Sequence, residues 1–139
     1  MADAVRVRAE ILKEMLLHAR REPEIECCGL LAGRDGVITR AFPAVNVASN
    51  PKRRYEIAPA EIVRLMREFR ERKLGFLGIY HSHPDCGAYF SETDLKNSCP
   101  WYSFVVLSIQ QGRFDHANSW LPNAEQTQAE KEELLWPES

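Results

Sequence analysis

The chain has 139 residues, 45% of them apolar, which is enough for one hydrophobic core and short for two domains. Lysine and arginine number 18 against 20 aspartate and glutamate, a formal net charge of −2, so no global basic field argues for nucleic acid. No apolar run nears the ~18 residues needed to cross a bilayer, and Arg6, Arg8, Glu10, Lys13 and Glu14 interrupt any signal-like apolar segment; the sequence predicts a soluble, cytoplasmic protein.

From about Arg6 to Arg21, Ile11, Leu12, Met15, Leu16 and Ala19 recur at helical spacing, with charges opposite, and predict an amphipathic helix that Pro23 ends. "CCGLLAG" and "GVITRAFPAV" read as two strands joined by a Gly/Asp turn at Gly33 to Gly36. Four cysteines in a chain of this size do not make a disulfide scaffold, and none shows C-x-x-C spacing, which argues against a cysteine-rich zinc site. Cys28 reads as a small buried hydrophobe.

"NVASNPKRR" is polar and turn-rich, a loop; "YEIA" reads as a short strand ended by Pro59. Ile62, Leu65, Met66 and Phe69 place a second helix from Pro59 to about Lys73, with proline tolerated in its first turn. "GFLGIYHSH" follows as an apolar strand, "SETDLKNS" as a short helix, and "WYSFVVLSIQ" as a central strand. "GRFDHANSWL" returns as its hairpin partner after Gln111-Gly112. The segment from Asn123 onward is polar, with a weak helical pattern and loose attachment. Strands mixed with three helices around one sheet predict a compact α/β domain.

The histidines of "GIYHSHPDCGAYFSETD" carry the chemistry. Residues i and i+2 of a strand share a face, so His81 and His83 point the same way and can hold one ion, provided a third ligand comes from elsewhere. Asp94 supplies it, at the third position of a helix that Ser91 begins. S-x-x-D is equally a capping signature, and two strand histidines can be ordinary surface residues. Two imidazoles and one carboxylate leave zinc an open fourth position, as a catalytic site needs. A hydrolytic site also needs a carboxylate off the metal to take a proton. Glu26, at the mouth of an apolar strand, is the candidate; Glu22 and Glu24 fit the pattern nearly as well. Cys86 lies in the loop near any metal held there, and a plain loop cysteine is the simpler reading.

Together, "ECCGLLAG", "HSHP", the seven residues from Pro84 to Phe90, and "SETD" resemble the JAMM (MPN-plus) metalloprotease motif, E…H-[ST]-H-x7-S-x-x-D, with every position filled. The resemblance covers roughly residues 6–121, which makes 1–122 the MPN/JAMM domain and 123–139 a polar tail. It implies that Glu26 is the general base, that His81, His83 and Asp94 bind Zn2+, and that Ser91 stabilises the oxyanion. It implies an MPN (JAB/Mov-type) fold, a curved mixed sheet flanked by helices and related to cytidine deaminases. The implied activity is cleavage next to the C-terminal Gly-Gly of a ubiquitin-like protein. Short bacterial members of the family act on sulfur-carrier proteins and release an amino acid such as cysteine. An extended substrate tail could pair with a strand edge, with the loop from Asn46 to Arg54 as rim and Arg53 and Arg54 meeting acidic groups on the partner.

Other zinc signatures fit less well. "HSHPDC" has Cys86 where metallo-β-lactamase folds have a further histidine, a nucleobase deaminase needs P-C-x-x-C, and H-E-x-x-H is absent. The non-enzymatic alternative is an MPN-type scaffold that docks a ubiquitin-like partner.

Overall fold

A computed structural model describes residues 4–136. The elements run β1 (Val5–Val7), α1 (Ala9–Arg21), β2 (Cys28–Arg34), β3 (Val37–Ala44), α2 (Pro59–Glu71), β4 (Gly75–Pro84), α3 (Glu92–Lys96), β5 (Ser103–Gln110), β6 (Arg113–Pro122), β7 (Ala129–Glu132) and β8 (Leu134–Leu135). One eight-stranded sheet has the order β7-β6-β5-β4-β2-β3-β1-β8. It is mixed, because β4 runs parallel to β5 and β1 parallel to both β3 and β8. The sheet curls until β6 meets β8, close to a barrel, as the predicted curved sheet flanked by helices requires. Among the described residues no helix is long and apolar enough to cross a membrane.

Local chemistry explains the elements. Both predicted hairpins turn on an X-Gly pair at positive φ: Asp35 (53°) with Gly36 (76°), and Gln111 (52°) with Gly112 (76°). Such pairs match the twist of the flanking strands. In α1, Ile11, Met15, His18 and Ala19 are buried, the face that the periodicity picks plus one histidine. The helix starts at Ala9, however, because Val5 and Val7 point inward as β1; three residues are too few to display a period of two. "YEIA" shrinks to a single bridge between Asn46 and Ile57. The charged stretch after Asn123 forms strands, not a helix: β7 pairs with β6, and β8 pairs with β1.

Strand alternation divides the core between the two faces of the sheet. Cys27, Leu31, Ile38 and Tyr80 pack with Met15 and Ala19 of α1. Cys28, Leu30, Ala32 and Tyr55 pack with Leu65 and Phe69 of α2. On the α1 face, Tyr80 presses so close to β2 that a Cβ on Gly29 would lie 2.4 Å from its ring. Its hydroxyl hydrogen-bonds His18 Nδ1 at 2.7 Å, and His18 Nε2 pairs with Glu22 at 2.5 Å. This chain of polar groups ties α1 to the centre of the sheet. Tyr80→Phe keeps the ring, leaves His18 Nδ1 without its buried partner, and is expected to lower unfolding free energy by about 1–3 kcal/mol, measured by urea denaturation.

Candidate metal centre

The register between β2 and β4 builds the site. Cys28 stands opposite His81, and the pairing continues past β2, where Ser82 N–H donates to Cys27 O at 3.0 Å and Ser82 Oγ accepts from Cys27 N–H at 2.9 Å. One further step sets Glu26 across from His83. Glu26, His81 and His83 therefore share the α2 face of the sheet. Glu26 is fixed from behind as well: its N–H donates to Pro51 O at 2.8 Å, and its carbonyl accepts from Asn46 Nδ2 at 2.8 Å.

Asp94 arrives on α3, a helix of five residues. Ser91 Oγ accepts from Asp94 N–H at 2.9 Å, and Asp94 Oδ2 accepts from Ser91 N–H at 3.1 Å, so the capping box is present. The same Oδ2 lies 3.2 Å from His81 Nε2 and 3.2 Å from His83 Nε2, and the two Nε2 atoms are 3.1 Å apart. Both readings of S-x-x-D thus hold at once, cap and cluster. Glu26, His81, His83 and Asp94 each bring one donor atom to within 4.8 Å of the others, and all four are buried.

The donor set fits a metal. A tetrahedral zinc ion with bonds of about 2.0–2.1 Å keeps its donors about 3.3 Å apart, and the triangle's edges are 3.1, 3.2 and 3.2 Å. Hydrogen bonds alone satisfy the triangle poorly. His83 Nδ1 donates to Gly87 O at 2.8 Å, so a neutral His83 presents only a lone pair at Nε2. One proton at most, from His81, then serves three short edges, and a cation among them satisfies every lone pair. The Nδ1 bond of His83 also fixes its tautomer and ring, as an outer partner of a ligating histidine does. His81 has no such bond, since its Nδ1 is buried without a partner; the ring of Tyr55 stacks on it instead at 4.4 Å between centroids.

The electrostatics separate the two carboxylates. Burial raises the Asp94 carboxyl, but when the imidazoles are protonated the charge of His81 and the hydrogen bonds from His81, His83 and Ser91 N–H outweigh it and hold Asp94 well below the usual carboxylate range. Burial pushes Glu26 up to about 7, helped by the charge of Asp94 and opposed by His83. Its Oε1 is buried with no hydrogen-bond partner. Burial lowers His81 against the pull of Asp94; at His83 burial is overcome by the bonds to Asp94 and Gly87 O, and the net shift is upward.

Of the competing acids, Glu22 is turned away onto His18 and Glu24 is exposed. Cys86 stays outside the cluster, its thiol donating to Pro84 O at 3.4 Å. Three contributors escaped the sequence reading. Tyr55 gave no signal beyond a strand-like neighbourhood. Ser82 was legible only as the middle of H-S-H. Asn46 is the hub of its loop: Nδ2 also donates to Arg54 O at 3.0 Å, and Oδ1 accepts from the N–H groups of Ala48 and Glu56 at 3.0 and 3.1 Å. At the mouth, Tyr89 is 53% exposed and sits edge-on to His83.

The profile described as prokaryotic homologs of the JAB domain matches residues 8–122. A desampylase from Haloferax volcanii is 34% identical over 119 residues, 81% of this chain and 84% of the relative. The CysO-cysteine peptidase of Mycobacterium tuberculosis is 35% identical over 107 residues, 75% and 73% of the two chains. The solution structure of a protein from Desulfitobacterium hafniense superposes with a TM-score of 0.84 at 27% identity, covering 99% of this chain and 94% of that one.

Ser91→Ala removes the cap on a helix too short to hold itself. It is expected to cost about 1 kcal/mol of stability in urea titrations, and Ser91→Asn, which caps equally well, to restore it.

Proposed function

The chain belongs to the prokaryotic homologs of the JAB domain, and from that membership we propose that it is a zinc-dependent JAMM-type peptidase. Its substrate in this reading is a ubiquitin-like or sulfur-carrier protein, cut after the C-terminal Gly-Gly. The observation that carries the proposal is the pairing of a three-donor triangle with a buried, partnerless carboxylate oxygen beside it. The relatives named desampylase and CysO-cysteine peptidase support the substrate class.

His81 Nε2, His83 Nε2 and Asp94 Oδ2 would hold the ion. When bound, zinc supplies Lewis acidity, acidifying a water and polarising a carbonyl oxygen. Glu26 Oε1 takes one proton from the attacking water and returns it to the nitrogen of the leaving amine, so the carboxylate is regenerated in each cycle. Ser91 Oγ spends one lone pair on Asp94 N–H, which leaves its own proton free to donate to the charge developing on the carbonyl oxygen. The role of Glu26 asks for an acid kept off the metal but within its neighbourhood, in a dry setting.

The test incubates zinc-loaded protein with a carrier protein extended by one residue beyond Gly-Gly, with and without chelator, and follows the product by mass spectrometry. Release of the extension that stops with chelator is expected. Glu26→Gln is expected to keep zinc and lose about 10²–10⁴-fold in rate. His83→Ala is expected to lose the metal itself, read by elemental analysis. Near-normal turnover by Glu26→Gln would falsify the base assignment, and metal-free protein after zinc-replete expression would leave a scaffold that docks its partner.

A further inference from the structure

The peptide unit joining Gly87 and Ala88 is held at both ends by histidine. Its carbonyl, Gly87 O, accepts from His83 Nδ1 at 2.8 Å. Its N–H, on Ala88, donates to His116 Nε2 at 3.1 Å. An N–H can only donate, so His116 Nε2 carries the lone pair and its proton sits on Nδ1, where Asp115 Oδ2 lies 2.6 Å away. The links form one directed chain: Asp115, His116, the 87–88 peptide, and His83.

Two more β6 side chains brace the next peptide. Asn118 Nδ2 and Trp120 Nε1 both donate to Ala88 O, at 3.2 and 3.0 Å. His116, Asn118 and Trp120 alternate along β6 and so reach the loop from one face of the strand. Ala88, at 1% exposure, is buried beneath them. From β5, where Ser108 pairs with His116, Ser108 Oγ donates to Cys86 O at 2.6 Å.

We propose that Asp115 and His116 are positioning residues for the metal centre, acting on His83 through the Gly87–Ala88 peptide. Hydrogen bonds in series polarise one another. The Asp115 charge makes His116 Nε2 a better acceptor, which draws the peptide N–H, enriches Gly87 O, and strengthens its hold on the His83 Nδ1 proton. A stronger bond at Nδ1 makes Nε2 the better donor to a cation, the effect a carboxylate has when it contacts a ligating histidine directly. Here the carboxylate works across an intervening imidazole and a peptide. Asn118 and Trp120 hold the following peptide through Ala88 O and so restrain the loop beside it. The proposal rests on reading His81, His83 and Asp94 as metal ligands.

The test uses the full chain and two readouts: the zinc dissociation constant by competition with a chromophoric chelator, and the NMR resonance of the His83 Nδ1 proton in metal-free protein. His116→Ala is expected to weaken zinc binding by about tenfold or more and to move the resonance upfield. His116→Gln, whose Oε1 can accept from Ala88 N–H, is expected to recover most of the affinity, a rescue that a merely space-filling role would not give. Asp115 is 57% exposed, so Asp115→Asn leaves the fold intact and carries the test should His116→Ala fail to fold; a smaller loss and a smaller upfield shift are expected. A zinc-binding wild type whose variants show unchanged affinity and an unchanged resonance overturns the relay alone. A wild type that binds no zinc overturns the ligand assignment, and the relay with it.

Discussion

The antiparallel register of β2 on β4 is the constraint from which the rest of the molecule follows. With Cys28 opposite His81, Cys28, Leu30 and Ala32 of β2 and Ile79, His81 and His83 of β4 face α2, while Cys27, Leu31 and Tyr80 face α1. A slip of one residue would exchange the faces, sending His81 and His83 into the apolar core under α1 and Tyr80 toward α2. Two fixed points resist it. Tyr80 needs the bare backbone of Gly29 on one side and His18 on the other. Ser82 binds Cys27 through both its backbone and its hydroxyl. The pairing that closes the hydrophobic core therefore also aims three ionisable groups, Glu26, His81 and His83, at the point that Asp94 reaches from α3.

Gathering those groups is costly in the metal-free chain. Glu26, His81, His83 and Asp94 are all at most 6% exposed, and burying an ion costs several kcal/mol unless its neighbours repay it. Asp94 is repaid by both imidazoles and by a backbone N–H. Glu26 is not, since its Oε1 lacks a partner, and the result is a carboxyl displaced toward neutrality. A divalent cation held there would relieve this imbalance, and because the unfolded chain has no preformed triangle, its binding energy would count as folding energy. The same unrelieved tension makes Glu26 the group best prepared to accept a proton.

Much of this was legible in the sequence, for reasons that depend on length. Helices of thirteen residues show their period several times over, and the two X-Gly turns announce hairpins, so α1, α2, β2 to β6 and the H-x-H pair could be read directly. β1 and β8, at three and two residues, are too short to carry a pattern and exist only because partners pair with them. β7 stands at one end of the strand order, with Glu130 and Lys131 exposed and Glu132 buried against Ser119. Glu26 could not be told from Glu22 and Glu24 by spacing, since what separates them is the register, a fact of pairing and not of local sequence. His116 gives no local signal for the same reason: its partner Ala88 lies twenty-eight positions away along the chain.

The capping box gives α3 a meaning beyond its five residues. An isolated helix of that length does not persist in water, so the position of Asp94 cannot be inherited from the helix and has to be imposed locally. Ser91 imposes it by exchanging hydrogen bonds with Asp94 in both directions, and the two histidines complete the grip. In consequence the residue assigned to the oxyanion and the residue assigned to the metal are one mechanical unit. Loss of the Ser91 hydroxyl frees the backbone that aims Asp94, and under the proposed mechanism it would also remove a donor to the reacting carbonyl. The two effects separate only when the substituent restores the cap without restoring the donor geometry. Rate and metal affinity measured on the same variant then divide what the serine does for chemistry from what it does for the helix.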